Sequence, residues 1–364
     1  MRDASADRLA GTIGSIGPLD DSAMTAVSAR LDQLTKPPGS LGRLEQLAIQ
    51  LAGITGTDAP AVRPRTIVVA AADHGVAARG VSAYPQAVTA EMVANFVAGG
   101  AAINVLARQV RANVLVVDVG VAHPIRGGSP SGRGGRLINA RVRPGTDDLA
   151  EGPAMSREEA IAAIEVGLGI AADESAAGTR VIGLGDMGIG NTTAASAIVA
   201  TMTGRPVRDV TGRGTGVEGD AYERKVETVE RALSVNRPDP TDPIGVLAAA
   251  GGLEIGALVG LIVGGAAASI PVVLDGFITG SAAMLAAALC PAVVPRLIAA
   301  HRSAEPGHRI VLASLDLKPL FDLDLRLGEG SGAALAMPLI DAACAIRDEM
   351  ATFASAGVSG PTVE

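Results

Sequence analysis

The residues of this chain best placed to do chemistry lie in Leu327-Gly-Glu-Gly-Ser-Gly-Ala-Ala-Leu-Ala-Met-Pro338, where one carboxylate, Glu329, stands between Gly328 and Gly330 at the mouth of an apolar helix. Glycine admits backbone angles closed to other residues and lets a ligand come close to the main chain. A carboxylate held in such a turn beside apolar residues is a candidate proton acceptor with a raised pKa. The same pattern also describes a plain turn whose Glu is favoured by the helix dipole.

A second stretch, Gly183-Leu-Gly-Asp-Met-Gly-Ile-Gly-Asn-Thr-Thr193, contains G-x-G-x-x-G after an apolar run, with Asp209 further on, which taken literally is a dinucleotide fingerprint. The helix is expected to open after the motif, at Asn191-Thr192-Thr193, and helix N-terminal amides and hydroxyls hold phosphate. A mononucleotide cradle with Asp186 at its entrance therefore fits better than a dinucleotide site. No lysine follows Gly190, so this is not a Walker loop. Asp73-His74 and Asp275-Gly276 each follow an apolar run, and Ser303 lies in Ala300-His-Arg-Ser-Ala-Glu305. Asp73 and His74 suit chemistry or, equally, a capping Asp and a packed His. Lys36 and Arg43 flank a stiff Pro-Pro-Gly-Ser turn that suits an anion or a simple connector.

Buried strands and helices must position these groups. Apolar runs at Thr66–Ala71, Val114–Val119, Val181–Leu184, Pro271–Leu274 and Arg309–Ala313 read as strands, the last preceded by the Ala300–Glu305 stretch. Between them run helical patterns: Thr89–Gln109 as one long helix, the segment opened by the Ser156/Glu159 capping box, a charged helix carrying Lys225, and Ala282–Leu289. Asp20 or Asp21 caps an N-terminal helix, and Ser40 is expected to start another. Gly127–Arg136 reads as a mobile Gly/Ser/Arg loop. Strand–helix alternation means an α/β protein with a mainly parallel sheet, and the two helical chain ends can form a lobe beside it.

Composition limits the partners. The 364 residues carry a net charge of -8, no Trp, 2 Tyr and 4 Phe, so packing relies on small aliphatic side chains and nucleic acid is not an expected partner. The uncharged stretch Ile255–Leu274 is long enough to span a bilayer, but its Gly/Ala content and Pro271 favour a buried helix and strand, so no membrane span is expected. With no apolar segment beside Arg2, Asp3 and Asp7, no signal peptide is expected, and Cys290 and Cys344 read as buried free thiols of a cytoplasmic protein. No metal-ligand spacing occurs among four dispersed histidines.

Taken in order, Lys36-Pro-Pro-Gly-Ser-Leu-Gly-Arg-Leu-Glu45, Ala72-Asp-His-Gly75, Gly185–Thr193, Leu274-Asp-Gly-Phe277 and Leu327–Pro338 resemble the nicotinate-nucleotide–dimethylbenzimidazole phosphoribosyltransferases of cobalamin lower-ligand assembly. The resemblance implies a homodimer with a Rossmann-like three-layer αβα domain (61–330) and a small helical domain built from 1–60 and 331–364. It implies transfer of phosphoribose from nicotinate mononucleotide to 5,6-dimethylbenzimidazole, without cofactor or metal, at a site completed near the subunit interface. Glu329 matches the family's general base. Gly188, Asn191, Thr192, Thr193, Lys225 and Ser303 would hold the mononucleotide, Asp275 would orient ribose or backbone, and Tyr84 and Met92 would line the base pocket. Gly185, Met187, Gly328 and Gly330 complete the implied substrate-binding set. The chain departs from its relatives at Tyr84 and Met92, where they carry polar residues, and at Asp186, where many have Glu. The shorter Asp186 leaves a second catalytic role open, and base preference is open as well, because a methyl group gained or lost in an apolar pocket changes binding by only about 1–3 kcal/mol. Rival readings are an NAD-dependent oxidoreductase using Gly183–Gly188 and a non-catalytic benzimidazole- or nucleotide-binding module.

Overall fold

The computed structural model describes residues 2–126, 132 and 134–360, with side chains from Arg8 onward. Six strands, β1 (Arg65–Ala72), β2 (Asn113–Gly120), β3 (Arg136–Asn139), β4 (Val181–Met187), β5 (Val272–Leu274) and β6 (Leu297–Ala299), form one sheet in the order β3-β2-β1-β4-β5-β6. Every pairing between them is parallel. The order reverses between β1 and β4, and in sheets of this kind ligands gather at the carboxyl ends beside that switch. The expected Gly127–Arg136 loop lies outside the described residues apart from Gly132 and 134–136, where Arg136 begins the edge strand β3.

The helices are α1 (Arg2–Gly14), α2 (Asp21–Asp32), α3 (Arg43–Thr55), α4 (Val88–Ala98), α5 (Ala102–Gln109), α6 (Arg157–Ala176), α7 (Asn191–Thr203) and α8 (Val207–Val210). They continue with α9 (Asp220–Asn236), α10 (Pro243–Ala250), α11 (Leu253–Ala267), α12 (Phe277–Leu289), α13 (Pro306–Ser314), α14 (Ser331–Glu349) and α15 (Phe353–Ala356). Alternate side chains of β1 enter two cores, as strand pleating requires. Val68, Ala70 and Ala72 meet α6 and α11, whereas Ile67, Val69 and Ala71 meet α3, α14 and Phe96 of α4. That is the three-layer arrangement.

Small residues set the layer spacing. Gly260 of α11 faces the Ile164 carbonyl of α6, and Gly167 of α6 faces the Ala257 carbonyl of α11, so neither site has room for a Cβ. The uncharged stretch at α11 is thus buried between α6 and the sheet. Of the described helical stretches, Val88–Gln109 alone has the length and composition to cross a membrane, but Gly99 and Gly100 divide it into helices of 11 and 8 residues.

The chain ends meet through α2, α3 and α14. Thr35 N–H donates to the Ala351 carbonyl (3.0 Å), Phe353 N–H donates to the Gln33 carbonyl (3.1 Å), and Leu47, Leu51, Met337 and Ile340 share a core with the sheet. Helix α1 instead places Leu9 in the opposite core, with α6 and α11.

Three local expectations are corrected. The apolar run in Arg309–Ala313 belongs to helix α13, not a strand, because Pro306 opens a helix there and His308, Val311 and Leu312 fall on one buried face. The last strand is β6, so Ala300–Glu305 follows it. The expected helix over 89–109 is two helices, because Gly99 adopts φ 87° and its N–H turns back to the Asn95 carbonyl. Helix α3 starts at Arg43, not Ser40: Glu45 reaches back to accept the Leu41 N–H (2.8 Å) and pairs with Lys36 at 2.9 Å. Lys36 is therefore bound within the connector.

Candidate active site

Four strand ends build the site. After β1 come Asp73 and His74; β4 ends on Asp186 and Met187; Asp275 and Gly276 follow β5; and His301 and Ser303 follow β6. Among these lies a cavity of about 290 Å³. Of the residues expected at a site, Tyr84, Asp186, Met187, Gly188, Asn191, Thr192, Ser303 and Gly328 line it.

Strand β4 runs through Gly183 and Gly185, which pair with Ile67 and Val69 of β1. The first two glycines of G-x-G-x-x-G are thus ladder residues and not a phosphate turn, which removes the dinucleotide fingerprint. The turn itself is Gly188-Ile189-Gly190, Gly190 has φ 100°, and α7 opens at Asn191. Asn191 does not cap this helix; its Nδ2 donates to Asp186 Oδ2 at 2.9 Å. Thr192 Oγ1 accepts from Lys225 Nζ at 2.9 Å, and the same ammonium donates to the Gly212 carbonyl at 3.0 Å. Lys225 thus reaches the cavity wall from behind, on α9. Burial lowers its pKa to about 8, opposed by the charge of Glu305. Thr193 is wholly buried behind the wall.

The Gly-Glu-Gly turn is locked from three sides. Gly328, Glu329 and Gly330 have φ of 82°, 63° and 87°, a left-handed run that costs a non-glycine residue on the order of 1 kcal/mol or more. Holding it, the Glu329 N–H donates to the Asp186 carbonyl (3.3 Å), and Ser331 Oγ donates to the Gly328 carbonyl (2.8 Å). Asp275 accepts from the N–H groups of Gly330, Gly332 and Ala333 at 3.2, 2.6 and 3.3 Å, so it caps α14. Burial still raises its pKa to about 7 against those bonds. A Cβ on Gly185 would stand 2.5 Å from the Glu329 carbonyl carbon and oxygen, so this strand glycine is what lets the turn sit on β4.

Glu329 is only 6% exposed, and its Oε2 accepts the Ile103 N–H in the first turn of α5 at 3.3 Å. Burial raises its pKa and that hydrogen bond lowers it. Asp186 is shifted further, well above the ordinary carboxylate range: burial is the main cause, followed by the nearby carboxylates Asp275 and Glu254. Asn191 lowers it and Glu329 adds to the rise.

Other expected residues sit elsewhere. Met92 packs against the core beneath the sheet and does not line the cavity. Glu329, Lys225, Asp275, Gly185 and Gly330 support the wall without lining it. Asp73 Oδ2 accepts the Ala122 N–H at 2.7 Å, and His74 Nε2 is 2.7 Å from Glu254 Oε1, both side chains fully buried. The packed-histidine alternative therefore describes His74.

Sequence reading missed Gly214, Thr215, His301, Glu305 and Arg326, all of which line the cavity. Arg326 stands three residues before Glu329, and the Thr211–Gly219 loop is dense in glycine; proximity to the terminal block was the one available signal for the first.

The chain matches the family model described as phosphoribosyltransferase over residues 16–358. It is 58% identical over 357 residues to the nicotinate-nucleotide–dimethylbenzimidazole phosphoribosyltransferase of Roseiflexus sp. (strain RS-1), covering 97% of this chain and 98% of that one. The protein of that description from Chloroflexus aggregans is 56% identical over 351 residues, covering 96% and 98%. A crystal structure of the Thermus thermophilus enzyme of that description superposes with a TM-score of 0.87 at 47% identity, over 94% of this chain and 100% of the other. Motif order, the switch-point cavity and matches along nearly the whole length agree: the chain belongs to the nicotinate-nucleotide–dimethylbenzimidazole phosphoribosyltransferase family.

Proposed function

We propose that this chain transfers the phosphoribosyl group of nicotinate mononucleotide to 5,6-dimethylbenzimidazole, giving α-ribazole 5′-phosphate and nicotinate, with Glu329 as general base. One benzimidazole nitrogen forms a bond to the ribose anomeric carbon as the bond from that carbon to nicotinate breaks. The pyridinium ring takes the bonding pair and leaves neutral at its nitrogen, so it needs no acid. The acceptor ring becomes cationic as it bonds, and the proton on its other nitrogen passes to a carboxylate.

The observation that carries this assignment is the unequal environment of two neighbouring carboxyls. Burial, with Asp275 and Glu254 nearby, pushes the Asp186 carboxyl well above the ordinary range, whereas at Glu329 the Ile103 N–H at the α5 terminus opposes the upward push of burial. Carboxyls whose environments push them apart divide into acid and base forms. On this reading Glu329 is the proton acceptor, and Asp186, on the cavity wall, serves as a hydrogen-bonding partner of the substrate. At the other end, Thr192 with Lys225 behind it, and Ser303, supply donors for the donor's phosphate. Tyr84 and Leu327 give an apolar rim for the base. Binding both reactants in line across the ribose contributes the remaining rate through effective molarity.

The assembly proposed, from the family resemblance, is a homodimer in the cytoplasm; a solution mass of one chain by light scattering would overturn the first part. The function is tested by incubating the protein with nicotinate mononucleotide and a panel of benzimidazoles and purines. Nicotinate release that depends on the added base is expected, and its absence with every base refutes the proposal.

A further inference from the structure

We propose that Arg326 is a ligand of the donor's phosphate and sets the preference for a nucleotide over the corresponding nucleoside, an inference that rests on the phosphoribosyl-transfer reading. The charge balance at Gly214 carries it. Three charged side chains converge on the Gly212–Gly214 backbone. Glu305, buried, accepts the Gly214 N–H through Oε1 at 2.8 Å. Lys225 Nζ donates to the Gly212 carbonyl at 3.0 Å. Arg326 Nη1 donates to the Gly214 carbonyl at 3.2 Å.

Lys225 and Glu305 offset each other in charge, so by themselves they leave this end of the cavity neutral. The loop's own charges, Arg213 and Glu218, pair with one another at 2.7 Å, and Arg302 beside Ser303 pairs with Asp322. Among the described residues no carboxylate pairs with Arg326, which is exposed and lines the cavity. It is thus the group that makes this end net positive, next to the hydroxyls of Thr192, Thr215 and Ser303. A guanidinium keeps its charge at any working pH and offers a planar pair of donors suited to phosphate. Its place three residues ahead of Glu329 also ties phosphate capture to the segment of chain that presents the base.

Calorimetric titration of the wild type, Arg326→Gln and Arg326→Lys with nicotinate mononucleotide and with nicotinate riboside tests this. Loss of one charge-assisted contact should weaken the nucleotide by about 10- to 100-fold in Arg326→Gln, with the riboside unchanged. Arg326→Lys should fall between, because it keeps the charge and loses the fork. Unchanged nucleotide affinity in Arg326→Gln, or equal weakening of both ligands, overturns the inference. The two proposals fail separately: Arg326-dependent nucleotide binding without base-dependent nicotinate release supports this inference and sinks the transfer reaction. If the wild type binds neither ligand, both fall.

Discussion

Replacing Glu329 by Gln is the sharpest test of how the two carboxyls divide the work. The change is isosteric, and the amide oxygen can still accept the Ile103 N–H that Oε2 accepts at 3.3 Å. The left-handed turn is held by Gly328, Gly330, Gly185 and the Asp275 cap, none of which is altered. The fold should therefore survive, with Tm close to the wild type. What disappears is the ability to take a proton, worth about 100- to 10,000-fold in kcat, or about 3 to 5 kcal/mol of barrier. Asp186→Asn should cost far less, since on this reading Asp186 serves as a hydrogen-bonding partner and an amide still donates. Initial rates of nicotinate release, with nicotinate mononucleotide and 5,6-dimethylbenzimidazole each varied, separate kcat from KM. In the wild type, kcat should fall as pH drops through the raised pKa of Glu329, because the protonated carboxyl cannot accept a proton; that limb should vanish in Glu329→Gln. If Glu329→Gln keeps wild-type kcat while Asp186→Asn takes the loss, the roles are reversed and the reasoning from burial and neighbouring charge is wrong.

Three further outcomes are expected. Gly185→Ala places a Cβ 2.5 Å from the Glu329 backbone, so it should cost about 1–3 kcal/mol of stability and lower kcat together, read by thermal melting and turnover; wild-type turnover would show the turn has slack. Gly260→Ala pushes α11 away from the Ile164 carbonyl far from the cavity, and should lower Tm by a similar energy while KM holds; an unchanged Tm would mean the helices pack less closely than described. Lys225, with a pKa near 8, loses its cation as pH rises through that value, so KM for nicotinate mononucleotide should rise between neutral and alkaline pH; a flat profile would mean the ammonium does not serve the phosphate. Arg326 stays charged throughout, so binding weakens without vanishing.

Local signals settled much of the chain. Fully buried apolar runs such as Thr66–Ala71 read as parallel strands because no polar face interrupts them, and the Ser156/Glu159 pair opens α6 as its capping geometry requires. The helix start at Asn191 was legible from the polar Asn191-Thr192-Thr193 run after the glycine turn, although Asn191 turns out to bond Asp186 and not to cap the helix. Glu329 stood out because two flanking glycines permit an angle that a glutamate alone adopts at a cost. Where local preference was balanced, reading failed. The apolar run Ile310–Ala313 fits either a strand or a helix face, and Pro306 decided for the helix; Leu297–Ala299 is a strand of three residues, recognisable only through its pairing with β5.

Residue order alone thus determined most element types, the positions of the glycine turns and the identity of the carboxylates at strand ends, since these follow from backbone sterics and hydrophobic period. Which of those groups meet was decided by the sheet order β3-β2-β1-β4-β5-β6. It brings Asp186, Asp275 and Glu329 together from positions far apart in the chain, and puts Asp186 rather than Glu329 on the cavity wall. It also sets Lys225, Glu305 and Arg326 around one glycine loop. Charge and burial act over ångströms of space and not along the chain, so the protonation of each carboxyl and the balance at the phosphate end existed only once the strands had been placed side by side.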